Sequence, residues 1–307
     1  MWRETLKDAI KPYVPEQHRR MLARARLQAR QPTGAVRILP DVLVVGAMRC
    51  GTSSLYRTLG AHPSVVPSLR KEIGYFSVDH ARGENWYRAH FPTVATRAAY
   101  ALLGRSLLTF ECTPDYLLSQ HAPRRAKALL PDAKIIVLLR DPVERAFSHY
   151  KHIVAHKTET LSFKDALAAE DERIRRELDD ETRSPDAPMG KHLLRFSLRR
   201  RGHYKEQLAR WLEHYDGSRV LVADADGFFS NPAALFDRVL SFVGLPSWMP
   251  SEFKNYSYTD QGEAAKRKQS KIEPALVEEL RAHFARENEG LDALVKKTSP
   301  LSDYVAR

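Results

Sequence analysis

Two clusters in this sequence have the residue types and spacing to hold anionic groups. The first is Gly46-Ala47-Met48-Arg49-Cys50-Gly51-Thr52-Ser53. Gly46 and Gly51 permit tight turns. Amides at the start of a following helix point at an anion, and the helix dipole favours it. Arg49 adds a forked cationic donor set, and Thr52 and Ser53 add hydroxyls. The second cluster is Leu139-Arg140-Asp141-Pro142 with Glu144, Arg145 and Ser148. Arg140 closes an apolar run, and Ser148 lies about two helical turns further on. A strand-end guanidinium and a helix hydroxyl in that relation converge on one phosphate. The plainer alternative is an ion pair of Arg140 with Asp141 or Glu144. The first cluster is a poor ATPase loop: it keeps the outer glycines of G-x-x-x-x-G-K-[ST], but Thr52 occupies the lysine slot. A nucleotide kinase needs that lysine and a magnesium site.

The elements that must carry these clusters follow from periodicity. Asp41 to Val45 reads as a buried strand, Gly46 to Gly51 as a loop and Thr52 to Leu59 as a helix. Further strands are expected at Leu107–Glu111, Lys134–Leu139 and Arg219–Ala223, and helices at 123–130, 163–178, 203–215, 232–243 and 274–286. Asp141-Pro142-Val143-Glu144 has the chemistry of a helix start: an Asp N-cap, Pro at N1 and Glu at N3 to close a capping box. Strands alternating with helices predict an α/β fold, a P-loop-like three-layer arrangement with a mostly parallel central sheet covered by helices on both faces. Ligands of such sheets sit beyond the carboxyl ends of the strands, where both clusters fall.

The chain has 307 residues with 43% hydrophobic and 28% charged, an ordinary globular composition. No apolar run approaches the roughly 20 residues of a membrane span, and the first residues lack a secretory signal's apolar core. These features suggest a soluble, cytoplasmic protein. Two cysteines, Cys50 and Cys112, make no disulfide framework, and no Cys/His spacing suggests a metal site. The net charge is +11, of which residues 1–40 supply +6. A basic helical extension over 1–36, with the main domain over 37–307, accounts for this. A solvated helix is the plain reading; peripheral contact with an anionic membrane surface or another polyanion is the sharper one. Nucleic acid is not the expected partner.

The two clusters together resemble those of the PAPS-dependent sulfotransferases, in particular bacterial members and the domains that modify heparan sulfate. The likeness spans roughly residues 40 to 295, including His62-Pro63, Lys71-Glu72, Tyr75-Phe76, Trp86-Tyr87, Glu111 to Tyr116 and Gly202 to Pro246. It implies transfer of a sulfuryl group from 3′-phosphoadenosine 5′-phosphosulfate (PAPS) to a hydroxyl or amine of a glycan, glycolipid or small metabolite, releasing PAP. By that resemblance Arg49, Cys50, Gly51, Thr52 and Ser53 hold the 5′-phosphosulfate. Arg140 and Ser148 hold the 3′-phosphate, and Lys266 and Arg267 belong to a basic loop over the nucleotide. Where this chain has Arg49 the family usually has lysine. No metal is implied, since a sulfuryl group carries less charge than a phosphoryl group.

The acceptor still needs a base. The resemblance points to Glu72, with Lys71 beside it to tune its pKa and contact the sulfate. Glu111 is the alternative base and His62 a third. Trp86, Tyr87 and Phe91 are candidates for the acceptor side, with Lys71 and Glu111. The acidic stretch from Asp165 to Asp186 reads as a solvated helix and loop. A P-loop kinase or a non-enzymatic polyanion-binding protein are the competing functions; the first lacks its lysine, and the second leaves the paired clusters without a purpose.

Overall fold

A computed structural model describes residues 15–253 and 271–306. Lys266 and Arg267 lie outside the described residues. The chain opens with α1 (Glu16–Arg30), followed by a 3-10 segment Gln31–Val36. The α/β body then runs β1 (Val42–Gly46), α2 (Thr52–Gly60), β2 (Val65–Pro67), α3 (Glu84–Arg88), α4 (Val94–Leu102), β3 (Leu108–Cys112), α5 (Ala122–Leu129) and β4 (Lys134–Leu139). After it come α6 (Pro142–Ala155), α7 (Phe163–Ala168), α8 (Glu170–Arg183), α9 (Lys191–Phe196), α10 (Tyr204–Leu212), β5 (Val220–Asp224), α11 (Ala225–Ser230) and α12 (Pro232–Val243). The last helices are α13 (Pro274–Glu287) and α14 (Leu291–Val295).

Among the described residues, five strands form one sheet in the order β2-β3-β1-β4-β5, and each pairing of neighbouring strands in it is parallel. β1 and β4 are apolar, β-branched runs, and residues Ile135 to Leu139 are at most 1% exposed. Burial on both faces is what such continuous runs require, and each large side chain so buried contributes about 1.5–3 kcal/mol. The chain leaves β1 towards β2 on one side, but leaves β3 and β4 towards the other side. Right-handed crossovers therefore send α2 to one face of the sheet and α5 and α6 to the opposite face. The carboxyl ends of β1 and β4 diverge at that point, and a crevice opens between them.

Most expected elements are present within a residue or two of their ends. The expected helix over 163–178 is two helices, α7 and α8. The acidic stretch is also less solvated than expected: Glu170, Ile174 and Glu181 are buried along one face of α8. Glu170 accepts hydrogen bonds from the Arg199 and Arg200 amides at 2.7 and 2.9 Å, so it satisfies backbone donors that water cannot reach. β2, α3 and α4 had no counterpart in the sequence reading, β2 because three residues give no period to detect.

Residues next to the body's first strand are tied into it. The Arg30 guanidinium donates to the Ala89 carbonyl at 2.7 Å and also to that of Phe91. Arg37 donates to the Phe91 carbonyl at 2.9 Å. Gly34 packs so closely on α3 that an added Cβ would lie 2.4 Å from the Asn85 side-chain oxygen. Among the described residues, no helix is long and apolar enough to cross a membrane.

Candidate active site

The turn after β1 has the backbone of an anion cradle. Arg49 and Gly51 both adopt positive φ, 70° and 78°. Left-handed residues in such a turn bring successive amides to one side as a concave nest. α2 begins at Thr52 with no side-chain cap, so its first-turn amides face the crevice together with the positive end of the helix dipole. Gly46 has a packing role. Leu117 crosses it so closely that an added Cβ would fall 2.6 Å from the Leu117 Cβ, while the Leu117 amide donates to the Val45 carbonyl at 2.8 Å. Cys50 faces inward. It is fully buried, its amide donates to the Ala47 carbonyl, and burial pushes its thiol up to about 11. It shapes the turn and keeps a neutral side chain away from the crevice.

The second cluster meets the first. The Arg49 Nε–H donates to Ser148 Oγ at 3.2 Å, across 99 residues of chain. Ser148 rides on α6, whose start is held as expected by Asp141 accepting the Glu144 amide at 2.8 Å. Glu144 turns instead towards Arg140, at 3.9 Å, and Asp226 lies 3.4 Å from Arg140 Nε. The ion-pair reading of Arg140 thus holds alongside its place in the crevice. The Arg140 carbonyl accepts from the hydroxyls of Tyr204 at 3.2 Å and Tyr304 at 3.4 Å. These tyrosines fix the strand end that presents Arg140. They were not found from sequence, because nothing local marks a hydroxyl that acts on a carbonyl 64 or 164 residues away. Burial, and then the charge of Arg140, hold the Arg49 guanidinium below its ordinary value. Two cations and a hydroxyl converging beside uncapped helix amides form a donor set suited to a doubly phosphorylated ligand.

The carboxylate side borders the same strand ends. Cys112 Sγ, at the end of β3, lies 3.5 Å from the Thr52 carbonyl, and Lys71 is within electrostatic reach of Cys112. The Lys71 ammonium pairs with Glu72 at 2.9 Å. Burial works against its charge, but its acidic neighbours hold it above the ordinary lysine value. Cys112 stays a thiol, pushed up to about 12 by burial, so at neutral pH Glu72 and Asp115 are the partners that count. The Glu72 side chain is 40% exposed and open to an incoming group. Its loop is fastened by Arg70, which donates to the carbonyls of Glu72 and Ile73, each at 2.9 Å.

Glu111 is placed differently. It is 0% exposed and accepts from Tyr87 at 2.5 Å, Thr113 at 3.0 Å and Tyr116 at 3.2 Å. Burial raises it to about 7 against those hydrogen bonds. His62 is buried with both nitrogens in use, Nδ1 accepting the Ser64 amide at 3.0 Å and Nε2 against the Pro246 carbonyl at 3.3 Å. Neither group presents a basic atom to an acceptor. Tyr87 and Phe91 are fully buried: Tyr87 stacks on Tyr75 at 4.5 Å and meets Phe91 edge-on at 5.0 Å. Trp86 is 6% exposed, with the guanidinium carbon of Arg82 5.0 Å from the centre of its ring. The aromatic stripe is core at this point, packed on Tyr75, Phe76 and His90.

Residues 40–250 match the sulfotransferase family, and the chain belongs to that family. It is similar to the human bifunctional heparan sulfate N-deacetylase/N-sulfotransferase 2, with 32% identity over 230 residues, 72% of this chain and 23% of the relative. It is also similar to the human bifunctional heparan sulfate N-deacetylase/N-sulfotransferase 3, 31% identical over 224 residues, 70% of this chain and 23% of that protein. The chain thus spans less than a quarter of the length of these relatives. Among solved structures, a sulfotransferase from Alicyclobacillus acidocaldarius superposes with a TM-score of 0.63 at 31% identity, covering 85% of this chain and 97% of that one. This chain accordingly has the fold of the sulfotransferase family.

Proposed function

We propose that this sulfotransferase takes the sulfuryl group from PAPS and places it on a hydroxyl or amine of a carbohydrate or small-metabolite acceptor, leaving PAP. The observation that carries the reading is the Arg49–Ser148 hydrogen bond. It joins the turn after β1 to the helix after β4 in one crevice, which suits a nucleotide phosphorylated at both its 5′ and 3′ ends. Arg49, the nest around Gly51, Thr52 and Ser53 take the 5′-phosphosulfate; Arg140 and Ser148 take the 3′-phosphate. A kinase reading is disfavoured by Thr52 in the lysine slot.

In this reading Glu72 accepts the acceptor's proton as the acceptor oxygen or nitrogen bonds to sulfur. The bond from sulfur to the bridging phosphate oxygen breaks in the same step, and Arg49 offsets the charge left on the phosphate. Lys71 pairs with Glu72 at 2.9 Å and is the cation offered to a sulfate oxygen. The relatives named for heparan sulfate support a carbohydrate acceptor. Residues 1–36 are proposed as an accessory basic extension that meets an anionic surface. The test is a thermal-shift comparison of PAP with ATP and magnesium, followed by transfer from labelled PAPS to an acceptor panel. PAP at 100 times its dissociation constant adds about 2.7 kcal/mol of stability. Stabilisation by ATP with magnesium and none by PAP overturns the proposal.

A further inference from the structure

Thr113 connects the buried Glu111 to the loop that carries Glu72. Its hydroxyl accepts the Ile73 amide at 3.1 Å and the Gly74 amide at 3.3 Å, and donates to Glu111 Oε2 at 3.0 Å. A hydroxyl has one proton and two lone pairs. Giving the proton to Glu111 leaves both lone pairs for the two amides, so every valence of Thr113 is used. Gly74 sits at φ 78°, and its carbonyl accepts from the amides of Val78 and Asp79. The hydroxyl therefore grips the loop at its sharpest turn, two residues beyond Glu72. Arg70 holds the opposite side of the same loop through its carbonyls.

We infer that Glu111 and Thr113 are positioning residues for the reaction: Glu111, by accepting its proton, orients the Thr113 hydroxyl, which holds the Ile73–Gly74 turn and thereby the Glu72 carboxylate. This rests on the reading of Glu72 as base. The groups facing Glu111 are Tyr87 from α3, Thr113 and Tyr116 from the segment after β3, and Arg70 from the Glu72 loop. All of the hydroxyls among them donate to it. A proton on Oε2 would reverse the bond to Thr113 and take a lone pair from one of the two amides. The turn would then lose a tie while the fold around it stays closed.

The test is a double-mutant cycle with turnover, PAP affinity and amide exchange at Ile73 and Gly74 as readouts. Thr113→Val keeps the side chain's shape and removes the hydroxyl. Turnover falls about 10–10²-fold, as a misplaced catalytic group causes, PAP affinity is unchanged, and the two amides exchange faster. Thr113→Ser restores most of the turnover. In a Glu72→Gln background Thr113→Val has little further effect on turnover, because it acts through the group already removed. Multiplying effects in the double mutant would overturn the inference. Normal turnover of Glu72→Gln alone would overturn the base reading, while the exchange rates would still show whether Thr113 holds the turn. If the Thr113→Val chain fails to bind PAP, Glu111→Gln replaces it in the same cycle with the same expectations.

Discussion

The proposed nucleotide side and the proposed base side of the crevice are built in two different ways. On the nucleotide side, strand ends and helix starts do the positioning: Arg140 closes β4, Ser148 rides on α6, and the nest at Arg49 and Gly51 is backbone. The proposed base, Glu72, instead sits on a loop between β2 and α3, where the Glu72–Gly74 stretch is gripped by two side chains, Arg70 from one side and Thr113 from the other. Backbone-built sites tolerate side-chain loss because the scaffold remains. A loop held by a few side chains places its group well only while each tie is intact. The nucleotide side should therefore lose affinity in modest steps, and the carboxylate side should lose turnover in large ones.

The largest effect is expected at Glu72. Glu72→Gln keeps the shape but takes no proton, and turnover falls about 10²–10⁴-fold with PAP affinity unchanged, measured under single-turnover conditions. Glu111→Gln is the milder of the two. The reverse ranking, with both chains folded, would move the base to Glu111 and end the contrast drawn above. Arg49→Ala is next: turnover drops about 10²–10³-fold, the range for losing one donor to developing charge, and more than PAP affinity does. Arg49→Lys keeps substantial activity. Normal turnover in Arg49→Ala would show that the guanidinium serves only to bind Ser148.

A smaller effect separates activity from stability with pH. Glu111 stands raised to about 7 from an ordinary value near 4.5. A raised acid contributes stability that is complete below its unfolded value and is lost as pH rises through the folded one. Wild type should thus lose melting temperature relative to Glu111→Gln between about pH 5 and pH 8. Over the same window its turnover rises as Glu111 ionises, and the rise flattens in the mutant. Opposite trends in one residue would mark a group that costs stability in order to position a loop. Parallel trends would argue for packing alone. The smallest effect concerns the extension: deleting residues 1–36 removes the Arg30 bonds to Ala89 and Phe91. It lowers the melting temperature by a few degrees, leaves PAP binding intact and weakens attachment to anionic vesicles. Complete loss of folding would make the segment part of the core.

That the two clusters meet was legible in sequence, because strand and helix geometry sets their parts. Gly46, Gly51, Arg49 and the Arg140-to-Ser148 interval lie within short windows whose spacing is set by strand and helix geometry. The parallel fold followed from strands alternating with helices, and β1 and β4 stood out among those strands as continuous apolar runs. The ties on the carboxylate side were not legible. Thr113 lies 40 residues from Ile73, and no local pattern distinguishes it from any threonine before a proline. Trp86 and Tyr87 looked available for an acceptor because sequence shows aromatic spacing but not which side of a short helix faces the sheet. Burial, and the bond from Tyr87 to Glu111, depend on the assembled core.

The two clusters are proposed to form one site for a nucleotide bearing both a 5′ and a 3′ phosphate. Titration calorimetry of PAP and 5′-AMP without magnesium, on wild type and Arg140→Ala, tests it most directly. Wild type should prefer PAP by about 10–10²-fold, the worth of charge-assisted hydrogen bonds to one phosphate, and Arg140→Ala should erase the preference while still binding 5′-AMP. Equal affinity of wild type for PAP and 5′-AMP would contradict it.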